Sequence, residues 1–230
     1  QTLSDPTTPA ITSHTATNPT TCSGTDGSIV LKGNLSVSTV YSVTYLKGAT
    51  SVGPANFTTD ATNGWITVSG LTAGTYSSFV VTKSNCTSSA YPASSGTIVL
   101  SDPTPVTIAL GTVANPSTCG GTDGSIQITG MLNSTVYTLD YTQAGSPVGS
   151  ASITSSGTGT YTISGLSAAA YTAIRVTRLN CASNSLSQTL SDPTPATIAQ
   201  GTVTNPTTCS GTDGSIIIPG MANSTGYTLN

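Results

Sequence analysis

One twelve-residue phrase is written three times: "NPTTCSGTDGSI" at 18–29, "NPSTCGGTDGSI" at 115–126 and "NPTTCSGTDGSI" at 205–216. A catalytic constellation is needed once per domain, whereas a phrase on a long fixed period marks a building unit. "SDP" occurs at 4–6, 101–103 and 191–193, so Asp5, Asp102 and Asp192 each stand 17 residues before the cysteine of the phrase that follows. The back half repeats as well: "GLTAGTYSSFVVTKSNC" at 70–86 matches "GLSAAAYTAIRVTRLNC" at 165–181. Residues 1–43 match 188–230. This phasing divides the chain into 1–5, the tail of a preceding repeat, complete repeats at 6–102 and 103–192, and the opening part of a third at 193–230. The expectation is a window on a larger tandem array.

Within a unit the apolar residues alternate. "SIVLKG" and "SIQITG" follow Asp-Gly, and "VYSVTYL" and "VYTLDYT" place Tyr41, Val43 and Tyr45, or Tyr137, Leu139 and Tyr141, on one face. "WITVSGL", "YSSFVVTK" and "GTIVLSD" continue the pattern, and a short strand is expected in the variable middle. No run of strong helix formers competes. Six or seven strands at short spacing in 90–97 residues predict an all-β chain of tandem Ig-like antiparallel β-sandwiches. The spacing from Leu71 to Tyr76, repeated from Leu166 to Tyr171, fits a tyrosine corner, in which the hydroxyl bonds back to the preceding turn; it fits ordinary core tyrosines equally. The Pro-flanked "SDPTP" at 101–105 and 191–195 reads as an extended, stiff connector.

The five cysteines fall as Cys22 and Cys86, Cys119 and Cys181, then Cys209. Four paired cysteines allow three connectivities. The repeat favours one bridge inside each unit, Cys22–Cys86 and Cys119–Cys181, with the partner of Cys209 outside the window. Bridges of this kind imply an oxidising, extracellular setting.

Charge is scarce. Lys and Arg number 5, all 8 acids are Asp, and charged residues make up 6% of the chain. That leaves no basic surface for nucleic acid. No apolar stretch is long enough for a membrane-spanning helix. His14 is the only imidazole, and it lies in a Thr-rich segment that reads as a connector, so no Ser-His-Asp or Cys-His arrangement is available. No cofactor is implied. "GTDGSI" admits two readings. In one, Asp-Gly is a tight turn whose glycine takes positive φ. In the other, Asp26, Asp123 and Asp213, with the boundary residues Asp5, Asp102 and Asp192, supply oxygen ligands for calcium at the unit junctions.

The sequence "C-x-G-T-D-G-S-I", followed later by "G-L-x-x-x-x-Y" and "N-C", resembles the SprB-type repeats of Bacteroidota gliding adhesins and related giant secreted surface proteins. The matching positions are Cys22, Asp26, Gly27, Tyr76 and Cys86, and Cys119, Asp123, Gly124, Tyr171 and Cys181. In place of an aromatic stretch common after the first strand of that family, this chain has "STVYSVTY" and "STVYTLDY". The resemblance implies secretion, through a type IX system, and a place on the cell surface. The functional expectation is a non-enzymatic structural or adhesive repeat protein that forms a rod, stalk or filament by self-association or end-to-end continuation. The alternative is a carbohydrate-binding module of a secreted protein.

Overall fold

The structure, a computed structural model, describes residues 7–93, 95–222 and 226–228. The first unit contains β1 (Ile11–Thr17), β2 (Gly27–Gly33), β3 (Val40–Lys47), β4 (Thr50–Thr58), β5 (Ile66–Leu71), β6 (Gly74–Lys83), β7 (Cys86–Thr87) and β8 (Ile98–Leu100). The second contains β9 (Ala109–Ala114), β10 (Gly124–Thr129), β11 (Val136–Gln143), β12 (Ser146–Pro147), β13 (Ala151–Thr154), β14 (Tyr161–Leu166), β15 (Ala169–Arg178), β16 (Cys181–Ala182) and β17 (Leu186–Leu190). In the third segment β18 (Val203–Thr204) pairs with β19 (Ser215–Ile216).

Each complete unit is an Ig-like sandwich of two antiparallel sheets. One sheet runs β1-β2-β5, and the other runs β4-β3-β6 with β7 and β8 along the far edge of β6. The second unit repeats this as β9-β10-β14 facing β11-β15, with β12 and β13 taking the place of β4, and β16 and β17 that of β7 and β8. The alternation seen in the sequence selects the faces: Ile29 and Leu31 of β2 point inward, as do Ile66 and Val68 of β5, Tyr41 and Val43 of β3, and Tyr76, Phe79 and Val81 of β6. They form one core, and the second unit builds its own from Ile126, Ile128, Tyr137, Leu139, Tyr171, Ile174 and Val176. Burial of these branched and aromatic side chains is the main favourable term in each unit.

The tyrosine corner is present in both units. The Tyr76 hydroxyl donates to the Thr72 carbonyl at 2.7 Å, and that of Tyr171 donates to the Ser167 carbonyl at 2.9 Å. A second tyrosine closes the opposite loop: the Tyr41 hydroxyl accepts from Ser36 N, Tyr137 from Leu132 N and Tyr227 from Ala222 N, each at 3.0 Å. The segment read as a Thr-rich connector is a strand. Residues 11–17 pair with β2 along the sandwich edge, and all of them except Ile11 are exposed, so no hydrophobic alternation marks them. His14 therefore stands on an exposed strand, where its Nδ1 lies 2.8 Å from the Tyr91 hydroxyl.

Candidate interdomain junction

The repeated phrase lies at the pole of the sandwich where β1 ends and β2 begins, and nearly every residue in it has a structural task. Asn18 Oδ1 accepts from Ser101 N at 3.0 Å, tying the phrase to the end of its own unit; Asn115 does the same for Ser191 N at 3.1 Å. Pro19 and Pro116 are buried. Their rings press on Gly27 and Gly124, where an added Cβ would lie 3.2 Å from the proline ring and 2.7 Å from the carbonyl of Leu71 or Leu166. These glycines are required for close approach, not for backbone conformation. The expectation of positive φ at the Asp-Gly glycine is corrected accordingly. The left-handed residue is four positions earlier, at Ser23 (φ 59°), Gly120 (φ 70°) and Ser210 (φ 65°).

The aspartate of the phrase caps its own loop. The Thr20 backbone amide donates to both Asp26 carboxylate oxygens, at 3.0 and 3.2 Å, and the Thr20 hydroxyl donates at 2.6 Å. Asp213 receives the same set from Thr207, and Asp123 accepts from Ser117 N at 3.0 Å. Hydrogen bonds to the charged form favour it. The side-chain hydroxyl of Thr20, Ser117 or Thr207, then the backbone amide of the same residue, holds each of these carboxyls below the ordinary aspartate value. Among the calcium candidates, Asp102 Oδ2 accepts from Ser23 N and Asp192 Oδ2 from Gly120 N, both at 3.2 Å, while Asp102 Oδ1 is buried without a hydrogen-bond partner. Asp5 lies outside the described residues. Among the described residues no group of three or more His, Cys, Asp or Glu side chains is placed to hold a metal ion.

The cysteine of the phrase reaches across the junction. Cys22 is disulfide-bonded to Cys181, with Cα atoms 5.1 Å apart and a sequence separation of 159. The Cys22 amide also donates to the Leu179 carbonyl at 2.8 Å. Both sulfurs lie 3.4 Å from the carbonyl oxygen of Pro103, so the bridge closes directly over the connector. Cys181 is presented by a two-residue hairpin. Arg178 pairs with Cys181, and the turn residues Leu179 and Asn180 both take positive φ, at 52° and 57°. That is the turn type that matches strand twist, and asparagine tolerates it well.

This overturns the pairing of Cys22 with Cys86 and of Cys119 with Cys181, and with it the expectation of one bridge inside each unit. The physical reason is distance. Cys22 sits at the pole where β6 begins, and Cys86 follows the turn at its far end. The ten residues of β6 separate those poles by roughly 30 Å at strand rise, whereas bridged Cα atoms must lie within about 7 Å. The same holds for Cys119 and Cys181 across β15, also ten residues long.

The second junction repeats the receiving half of this arrangement. Cys119 Sγ lies 3.4 Å from the Pro193 carbonyl oxygen, matching Cys22 against Pro103. Cys119 and Cys209 are exposed. The "SDPTP" connector at the first junction is in contact with the second unit: Pro103, Thr104 and Pro105 line a narrow crevice with Leu132, Tyr137 and Leu179.

No protein-family model matches this chain, and no curated protein matches it. Several solved structures are similar to parts of this chain at low identity. The chicken CNTN1 FN1-FN3 domains match at 12% identity over 85% of this chain and 71% of theirs, with a TM-score of 0.31. The Clostridium thermocellum CbhA fibronectin(III)-like modules match at 17% identity over 76% and 91%, with a TM-score of 0.29. Murine CEACAM1b matches at 16% identity over 81% and 99%, with a TM-score of 0.28. At such scores whole-chain superposition is poor, and the assignment of the fold rests on the strand pairing described above.

Two outcomes check this geometry. Peptide mapping without reduction is expected to recover the fragment containing Cys22 joined to that containing Cys181; recovery of Cys22 joined to Cys86 would contradict it. The second concerns acid. Because the folded-state pKa of Asp26 and of Asp123 is depressed below the ordinary 3.8, their contribution is fully present above about pH 4 and is lost as pH falls through the folded value. Melting temperature should therefore drop on acidification below about pH 4. Asp26→Asn with Asp123→Asn should lower it at pH 7 and flatten the acid limb. An acid limb of unchanged steepness in the double variant would remove the loop-capping role.

Proposed function

We propose that this chain is a non-enzymatic, extracellular structural protein whose Ig-like units join end to end into a rod, stalk or filament at the cell surface, as its resemblance to SprB-type surface repeats suggests. One observation carries the reading: the phrase that recurs in every unit builds the contact between units. A domain whose most repeated residues form its attachment to the next domain is specialised for assembly. The disulfide supports an oxidising location, since such bonds persist outside the reducing cytosol. The scarcity of charge suits close packing of such strands side by side, because little charge must be desolvated on contact.

Electron microscopy of the native, non-reduced material tests the reading. The expected image is a thin beaded strand with a repeat of one unit, roughly 40 Å for strands of this length plus their loops. Isolated compact particles without end-to-end order would contradict it.

A further inference from the structure

We propose that the Cys22–Cys181 disulfide carries tensile load, and that its position takes most of both folded units off the load path. The inference deepens the structural reading above and takes its biological meaning from it; the geometry stands by itself.

A pull along the chain follows the shortest covalent route. Without the bridge, tension entering at β1 leaves the first unit through β8 and the connector, so it must pass through every strand of both units. With the bridge, tension runs along β1 to Cys22, crosses to Cys181, and continues through β16 and β17 towards Asp192. The two cysteines are 159 positions apart, and everything between them becomes a side loop that bears no load. That loop includes β2 to β8, the whole "SDPTP" connector and β9 to β15.

The route that remains has little slack. β1 contributes seven residues and β17 five, both already extended. Strand residues rise about 3.3 Å each, close to the limit of about 3.3–3.6 Å for a fully stretched chain. Tension therefore acts on strands that cannot lengthen much, linked by a covalent bond. Three weaker contacts hold the surrounding loop in register: the Cys22 amide on the Leu179 carbonyl, Ser23 N on Asp102, and Asn18 on Ser101 N.

The placement also explains why the bridge is between units. A bridge inside one sandwich would shield only that unit and leave the connector as the extensible element. Here the connector is inside the shielded loop, and both sulfurs lie against its Pro103 carbonyl. Cys119, itself inside the shielded loop, lies against Pro193 in the same way at the second junction.

Single-molecule stretching of the full 230-residue chain through its two ends tests this. The sequence separation of 159 corresponds to about 550 Å of extended chain. The oxidised protein is expected never to release that length at forces that unfold sandwich domains. After dithiothreitol the same molecule is expected to release it in two unfolding steps, one for each core. Cys181→Ser should behave as the reduced protein without any reductant, and Cys119→Ser as the oxidised wild type. Thermal melting of both variants first establishes that their cores are folded. Two full unfolding steps in the oxidised wild type would overturn the proposal. So would two separate hidden loops of about 200 Å each, the signature of bridges inside the units. An intact shunt in a protein that forms no filaments would refute only the reading of the array, and filaments whose units lengthen under load would refute only the shunt.

Discussion

The length of β6, and of its counterpart β15, sets the terms for the rest of the molecule. Each runs the full height of its sandwich and ends in a tight hairpin that presents a cysteine at one pole. The other cysteine of the unit sits in the loop at the opposite pole. Two sulfurs fixed at opposite ends of a rigid sandwich cannot meet each other, but each can meet the cysteine of a neighbouring unit. Oxidation therefore joins units instead of stapling one, and the poles become a donor face and a receiver face. The contact is heterologous, of the kind that extends without closing unless a rotation brings it back on itself.

The twelve-residue phrase is the receiver face written out. Asn18 secures the end of its own unit, Pro19 packs into the space that Gly27 leaves open, Asp26 gathers Thr20, and the residue after Cys22 takes the left-handed conformation that turns the loop outward. Together they hold one backbone amide and one sulfur at the position where the next hairpin arrives, with Leu179 and Cys181 as its counterparts. Substituting the glycine or the aspartate disturbs the loop first and the junction through it.

Much of the fold was legible because burial imposes a period. Ile29 and Leu31, or Tyr137 and Leu139, alternate with half-buried or exposed neighbours, and the period of two identifies both strand and face. β1 was not legible, because an exposed edge strand of Thr, Ser and His has no buried face to impose alternation. The left-handed residues Ser78 and Ala173 inside β6 and β15, where an extra residue is accommodated against β3 and β11, also left no mark, since neither is the glycine that such a conformation favours. The cysteine pairing failed for a different reason. A repeat establishes that two cysteines recur once per unit, but it is silent about whether a bond joins them within one period or across to the next. Only the pole at which each lies decides that, and the pole follows from strand count and strand length. The positive φ assigned to the Asp-Gly glycine misread a packing constraint as a backbone one: Gly27 has no room for a Cβ beside the Leu71 carbonyl and Pro19.

The central claim is that the junction is a fixed joint built by the repeated phrase and locked by one bond between units. Residual dipolar couplings measured on the intact chain, oxidised and then reduced, test it most directly. The account predicts that a single alignment tensor fits both sandwich cores in the oxidised protein, and that after reduction the two cores need tensors of different magnitude. Two unequal tensors already required in the oxidised protein would mean that the units move independently despite the bond, and would contradict it.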